Sequence, residues 1–484
     1  MEERIIADKK AKLEALEKAS INPFPYSFEH THSSERIRKE FLNASEVPSH
    51  DEVNVAGRIM LNRPMGKIAF LHLQDSKGRI QVYFSSEYTQ NYELLKLLDI
   101  GDIIGVHGPV FRTKRGEITV KAKSLTVLAK SLKPMPEKYH GLQDTELRYR
   151  KRYLDLIYNE GSKKTFLART ALVAEIRKFL DEQGFIEVDT PILQKVYGGA
   201  NAKPFITHHN TLDSDLYLRI SDELFLKRLI VGGMERVYEI CRNFRNEGID
   251  TTHNPEFSMV EWYEAYADYN TMMKEAEELI ARICKKINGS HVIKFGNKHI
   301  KVKPPFRRLR MTDAVKQYAG IDVENMDDRE AIEECKKRRI QLHTESWGNA
   351  VQALFDELVE KKLIDPVFIY DYPWETSPLT KIHRKDKRFV ERFELYINTW
   401  EIANAYSELT DPRDQRRRFE AQAEDRKHGD EETHPMDEEF IEAMEYGMPP
   451  IGGIGIGIDR LAMLMTDNES IRDVVLFPIL RPQE

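Results

Sequence analysis

Three cysteines stand in the 484 residues, Cys241, Cys284 and Cys335, far apart from one another. None forms a C-x-x-C pair or sits at zinc-ligand spacing from a histidine, so neither a structural zinc site nor a disulfide framework is expected, and the usage fits a reducing compartment. No apolar run reaches about 18 residues, so no membrane span is expected. The opening stretch, MEERIIADKK, is charged and lacks the apolar core of a signal peptide. A cytoplasmic location follows as the expectation. Strong positive charge is missing too: the formal net charge is −7, which by itself argues against nucleic acid. What is present, 41% apolar and 32% charged residues, describes a globular protein of two or three domains.

The charge is unevenly placed. Residues 51–133 hold 13 Lys/Arg against 8 Asp/Glu, a net of +5 that leaves −12 for the rest. A basic front module on an acidic body allows polyanion binding at one end and cation binding at the other. Residues 1–50 read as a helical extension, with a helix over 1–20 ended by Asn22-Pro23 and a second near 33–42. From residue 53 the pattern changes to short strands at 53–61, 67–75 and 79–84, a helix near 92–98, then strands at 102–112 and 117–128. Five strands with a helix between the third and fourth is the order of an OB-fold barrel, a frequent single-stranded nucleic-acid module, here over 51–130. Arg58, Phe70, Gln81 and Glu117 are its candidate readers: a cation, a stacking ring and two hydrogen-bonding groups. The alternative is that Phe70 fills the barrel core while the others are solvated.

Residues 131–150, with Pro134 and Pro136, read as a linker that runs into a basic helix over 147–157 carrying Arg148, Arg150, Lys151 and Arg152. A solvated face is the ordinary reading of such a run, and phosphate contact the alternative. A periodic helix over 166–183 places Leu172, Ile176, Phe179 and Leu180 on one side. With the strand at 185–188 and Pro191 it makes a candidate dimerisation element. Ser221 reads as the N-cap of a helix over 221–231. Residues 311–364 read as a helical insertion without evident chemistry.

The chain centres on residues 235–264, two strands joined by a polar loop. Period two places Asn243 and Arg245 on one face of the first, and Phe257, Met259, Glu261 and Tyr263 on one face of the second. A structural strand would carry aliphatics there, so an arginine, a ring, a carboxylate and a phenol together predict the floor of a site. A later hairpin over 392–409 puts Asn404, Tyr406 and Glu408 on one face. Glu394 precedes its turn and Glu401 follows it; Glu401 joins the same site only through a bulge or an edge position. The closing Gly452-Gly453-Ile454-Gly455-Ile456-Gly457 is neither a P-loop nor a dinucleotide fingerprint. It reads as a strand that buries isoleucines on one face and bares backbone on the other, with Arg460 opening a helix beyond it.

Phe244-Arg245-Asn246-Glu247-Gly248 with His253-Asn254-Pro255-Glu256-Phe257, and Gly455-Ile456-Gly457-Ile458-Asp459-Arg460, resemble two signatures of class II aminoacyl-tRNA synthetases; the helix–strand–Pro191 unit is similar to a third. Gly199, Ser221-Asp222-Glu223-Leu224, Glu261-Trp262-Tyr263 and residues 401–409 resemble the class II lysyl-tRNA synthetases in particular. The resemblance implies an α+β chain: an OB-fold β-barrel that reads the anticodon, then a catalytic domain over 151–484 built on an antiparallel sheet flanked by helices. It implies lysine, ATP and a lysine-accepting tRNA as partners, and a homodimer. Arg245 and Arg460 would be catalytic. Arg245, Glu247, His253, Phe257 and Arg460 would bind ATP, and Glu394 and Glu401 would hold Mg2+. Gly199, Glu223, Glu261, Tyr263, Asn404, Tyr406 and Glu408 would bind lysine. In that scheme Glu261, Glu408 and Tyr263 meet the ε-ammonium and Glu223 the α-ammonium. A carboxylate–ammonium pair near ~4 Å is worth on the order of 4 kcal/mol at an effective dielectric of about 20. Two departures from the family pattern are Tyr406, where some relatives carry phenylalanine, and Asn398-Thr399-Trp400 at the hairpin turn. Aspartyl and asparaginyl synthetases share both modules, but their substrates do not suit a pocket of carboxylates. A lysyltransferase acting on a translation factor would lack the N-terminal barrel.

Overall fold

The computed structural model describes residues 2–136, 144–342, 344–377, 379–427 and 435–482. They divide into two compact units, Met1–Gly141 and Leu142–Glu484. Of the linker expected over 131–150, residues 137–143 lie outside the described residues, and Thr145–Arg150 is a helix of the second unit.

In the first unit six strands close into a barrel, Glu52–Met65 pairing with both Ile68–Asp75 and Ile103–Arg112. Alternation does the sorting: Val53, Val55, Ala69, Leu71, Leu73, Ile80, Val82 and Phe84 fill the interior. Phe70 therefore points outward, on the face opposite the core. The two N-terminal helices, Glu2–Lys18 and Ser34–Glu40, send Leu16 and Ile37 into the same core. The strand expected over 117–128 is two, Ile118–Lys121 and Ser124–Ala129. Between them the backbone at Lys121 crosses so close over Gly108 that a Cβ there would collide with it.

The second unit is built on an eight-stranded sheet. In order across it stand Arg307–Arg310, Val367–Pro373, Phe389–Ile397, Trp400–Ser407, Ile451–Gly457, Glu256–Ala265, Arg236–Phe244 and Ile186–Glu187. The two edge strands pair parallel and every inner pair is antiparallel. One face packs on the helices Tyr269–Asn288 and Ile458–Met465, where Trp262, Ile454 and Ile456 are buried. The other face opens on the site. The helix Glu160–Glu182, capped by Asn159, buries Leu172, Ile176, Phe179 and Leu180 as its period predicts. The insertion supplies the helices Met311–Ala319, Asp328–Lys337 and Trp347–Leu358, which share a second core with Val367, Ile369, Phe389 and Tyr396.

The basic helix expected over 147–157 is two short helices parted at Lys151, and two of its arginines are neither solvated nor free for phosphate. Arg148 Nε and Arg152 Nη1 clamp Asp155 at 2.8 and 2.7 Å. Arg152 has no exposed surface, and its Nη2 donates to the Arg472 carbonyl at 2.7 Å. Burial pushes the Asp155 carboxyl up, but hydrogen bonds from Arg148, Ser162 and Arg152 outweigh it and hold the group below its ordinary value.

Candidate active site

The glycine-rich strand Ile451–Gly457 organises the open face. Gly455 stands in register between Glu261 on one side and Asn404 on the other, and Gly453 between Tyr263 and Tyr406. Having no side chains there, the strand leaves a floor between two polar walls. A Cβ on Gly455 would come within 3.0 Å of Met259 Cε, and one on Gly453 would strike Glu408 and the Tyr263 ring. The bulge required at Glu401 is present: Leu395 pairs with Ala403 but Tyr396 with Glu401, leaving Ile402 over, and Glu401 and Asn404 then share a face.

A cavity of about 490 Å³ lies on this floor. Gly199, Glu223, Arg245, Glu247, His253, Phe257, Glu261, Tyr263, Glu394, Glu401, Asn404, Tyr406 and Arg460 all line it. Glu408 does not. Its Oε1 occupies the space that a Cβ on Gly453 would need, and its Oε2 is 2.5 Å from Lys227 Nζ, which is also 2.5 Å from Glu223 Oε1. Glu408, expected to meet a substrate ammonium directly, thus already has a cation from the protein. Lys227 and Arg392 are the residues that sequence reasoning missed. Lys227 had a signal, the i,i+4 spacing from Glu223 on the helix Glu223–Val231. Arg392 sits two residues before Glu394 on one strand face. It donates to Asn404 Oδ1 at 3.2 Å, Glu394 Oε1 at 2.5 Å and Ser377 Oγ at 2.9 Å. The cap of that helix also differs: Asp222 occupies the N-cap position, while Ser221 Oγ accepts the Glu223 N–H at 3.1 Å.

One half of the cavity is cationic and aromatic. The Arg245 guanidinium lies 5.0 Å from the Phe257 ring centroid, and its Nε is buried with no partner. An orphaned guanidinium N–H is a place for an anion. Arg460 Nη1 donates to the Glu401 carbonyl at 3.0 Å, and Nη2 meets His253 Nε2 at 3.1 Å. His253 Nδ1 faces Asp250 Oδ2 at 2.8 Å, so the Nδ1–H tautomer satisfies both contacts and leaves Nε2 to accept from Arg460. Glu394 accepts from the phenols of Tyr372 at 2.8 Å and Tyr396 at 2.5 Å. Burial and the neighbouring Glu394 charge push the Glu401 carboxyl up, against Arg460, Arg392 and Arg245. Two carboxylates that repel each other beside a phosphate-type site suit a divalent cation, which relieves the repulsion and takes oxygen donors. Among the described residues no group of three or more His, Cys, Asp or Glu could hold a metal, so substrate oxygens and water would complete such a shell.

The other half is acidic. Glu261 accepts from Tyr263 OH at 3.1 Å and from Ser221 Oγ at 3.4 Å. Asn404 Nδ2 donates to Tyr406 OH at 2.9 Å. Gly199 has φ 86°, and a Cβ there would press on Ser221 Oγ at 2.8 Å. Lys227 is only 1% exposed; burial lowers its basicity, yet Glu223 and Glu408 outweigh burial and keep it charged. One ammonium for two carboxylates leaves an excess of negative charge: burial foremost, with Glu223 adding to it against Lys227, pushes the Glu408 carboxyl up to about 8.

In the barrel, Arg58, Phe70 and Gln81 stand on the outer face, cross-strand from Gln74, Tyr83 and His72 respectively. Gln81 Nε2 donates to Glu117 Oε2 at 2.6 Å, and the Phe70 and Tyr83 rings are 5.2 Å apart. Arg58 Nη1 donates to the Gly101 carbonyl at 2.7 Å, so part of its hydrogen-bonding capacity is spent within the barrel.

An antiparallel sheet with this cationic and acidic cavity, in a chain that also carries an OB-type barrel, defines an amino-acid-activating enzyme of the class II synthetase type. The chain belongs to the class II tRNA synthetases (D, K and N), which match residues 144–481; an OB-fold nucleic acid binding domain matches 53–128. Lysine--tRNA ligase of Bacillus cytotoxicus is 50% identical over 487 residues, covering 98% of this chain and 97% of that protein. That of Pelotomaculum thermopropionicum is 52% identical over 482 residues, covering 98% and 94%. That of Shouchella clausii is 50% identical, covering 99% and 97%.

Proposed function

We infer that this protein is an ATP-dependent lysine–tRNA ligase. The observation that carries the reading is the pairing of Glu261 and Asn404 across Gly455, which sets a buried carboxylate opposite the wall that carries Arg392 and Glu394. In the first step a lysine carboxylate oxygen attacks the α-phosphorus of ATP, the bond to the β-phosphate oxygen breaks, and pyrophosphate leaves. Arg245 would neutralise charge growing on the α-phosphate, Phe257 would stack the adenine with Glu247 near its amino group, and Arg460 with His253 would hold the outer phosphates. Glu394 and Glu401 would hold Mg2+, whose contribution is to offset phosphate charge. In the second step a hydroxyl at the 3′ end of the tRNA attacks the activated carbonyl and AMP leaves. Glu261 and Tyr263 would receive the ε-ammonium, with Glu408 adding charge from beside Gly453; Glu223 and the Gly199 backbone would receive the α-ammonium, and Asn404 and Tyr406 would border the carboxylate. Arg58, Phe70, Gln81 and Glu117 would read the anticodon.

A homodimer through the helix–strand–Pro191 element is supported by the apolar surface near it, where Leu167, Ile186, Ile192, Leu193 and Ile206 are exposed. A cytoplasmic site of action fits the buried free cysteines; among the described residues no helix is long and apolar enough to cross a membrane. The test is the amino-acid dependence of ATP–pyrophosphate exchange. Exchange that requires lysine and magnesium is expected. Exchange driven by aspartate or asparagine would overturn the pocket assignment.

A further inference from the structure

A carboxylate in the first turn of a helix is ordinary, since the helix dipole favours it there. Asp459, in the first turn of the helix Ile458–Met465, spends both of its oxygens outside that helix. Oδ2 accepts the backbone N–H of Ser258 at 2.7 Å, and Oδ1 accepts from Arg169 Nη2 at 2.7 Å and Nε at 3.3 Å. Arg169 Nη2 also donates to Ser258 Oγ at 2.9 Å, so the three residues close a ring of bonds. They come from three elements: the helix Glu160–Glu182, the strand Glu256–Ala265 and the helix Ile458–Met465.

We propose that Arg169 is a positioning residue for the ATP half of the cavity: by pairing with Asp459 it holds the clasp on Ser258 that spaces Phe257 from Arg460, and it keeps Asp459 from competing for the Arg460 guanidinium. The proposal rests on the ATP reading of that half.

Place in the fold supports this role. The ladder between the strands Glu256–Ala265 and Ile451–Gly457 ends at the pair Met259 and Gly457. Phe257 and Arg460 both lie past that end, where no bond of this ladder fixes their separation. The bond from the Ser258 N–H to Asp459 continues the tie beyond it, and its two ends are the chain neighbours of Phe257 and Arg460. Glu261 and Tyr263 stand inside the ladder, in register with Gly455 and Gly453, so the acidic half keeps its place without the clasp. Charge points the same way. Ser258 and Asp459 are buried. Without Arg169, Oδ1 of Asp459 would be a buried charged acceptor with no donor, and such a group takes a cation or a proton from its surroundings. The next residue in the chain is Arg460, whose guanidinium bonds the Glu401 carbonyl and His253 at the edge of the cavity. An arginine drawn to Asp459 would no longer face a phosphate.

The test uses the full-length enzyme in ATP–pyrophosphate exchange, comparing the parent with Arg169→Met and with the double variant Arg169→Met/Asp459→Asn. Met keeps the stem and removes the donors. Misplacing a group that holds substrate by about an ångström can cost up to about a hundredfold, so Arg169→Met should raise KM for ATP roughly tenfold or more, with KM for lysine within about threefold of the parent. Adding Asp459→Asn removes the stranded charge and keeps a side-chain oxygen for the Ser258 N–H, so KM for ATP should return to within about threefold of the parent. A pair that merely fastened helix to sheet would lower the unfolding temperature without a selective effect on KM, and the second substitution would not restore ATP binding. An unchanged KM for ATP in Arg169→Met, an equal rise in both KM values, or no recovery in the double variant would each overturn the proposal. Where Arg169→Met fails to fold, Arg169→Gln takes its place in the same comparison. A Phe257→Ala control that left KM for ATP unchanged would overturn the ATP assignment itself, an outcome distinct from any difference among the Arg169 variants.

Discussion

The ammonium of Lys227 lies 2.5 Å from Oε2 of Glu408, and both side chains of this internal ion pair are buried. The same ammonium reaches Glu223, so one cation anchors two of the acids assigned to substrate. Lys227→Met keeps the stem but strands both carboxylates in a dry environment. A loss of about 3–5 kcal/mol in urea unfolding is expected, as for other broken buried pairs. KM for lysine should rise with it. A variant as stable as the parent would contradict the anchoring role.

The Phe70 ring lies tilted against Tyr83 at 5.2 Å between centroids, away from the barrel core. Phe70→Ala should weaken tRNA charging by about 1–3 kcal/mol of lost stacking, seen as a higher KM for tRNA. Lysine-dependent exchange should be nearly untouched. Equal damage to both reactions would refute the division of labour between barrel and sheet.

Asp155→Ala removes the carboxylate between Arg148 and Arg152 and leaves a guanidinium without exposed surface unpaired by any acid. Thermal unfolding should report a cost on the order of 3 kcal/mol. The sign with pH follows from the depressed carboxyl: its contribution is present above the ordinary aspartate range and lost as pH falls through the lower, folded-state value. Parent and variant should therefore converge in acid.

Glu275 gives the opposite slope. It accepts from Trp262 Nε1 at 2.7 Å, and burial foremost, with Glu264 adding to it against the Trp262 bond, pushes its carboxyl up to about 8. Between pH 5 and 8 the folded chain keeps a proton that the unfolded chain has released, so raising pH destabilises the fold. Urea unfolding should show this group's contribution falling by a few kcal/mol at most over that range. Glu275→Gln should flatten that part of the curve, and an unchanged slope would exclude Glu275 as its source.

Local period carried much of this site. Alternation along 256–265 placed Phe257, Met259, Glu261 and Tyr263 on one face, because successive Cβ atoms in a strand must point opposite ways. The same logic required a bulge at Glu401, and the register shift at Ile402 supplies it. The Gly/Ile alternation likewise predicted a strand with one bare face. The basic run at 147–157 misled for a matching reason: spacing reports a surface but not what covers it, and Arg152 is covered by carbonyls of the distant segment 472–476.

By its sequence alone the chain determined its elements, the sidedness of its strands and the chemical inventory of the site, since these depend on near neighbours and on the few ways a backbone can hydrogen-bond to itself. Only the tertiary structure decided which groups face each other: Gly455 between Glu261 and Asn404, and Lys227 between Glu223 and Glu408. Those pairings join strands and helices remote in the chain. Whether a buried acid is left for a substrate or neutralised from within depends on the low-dielectric contacts that only packing creates.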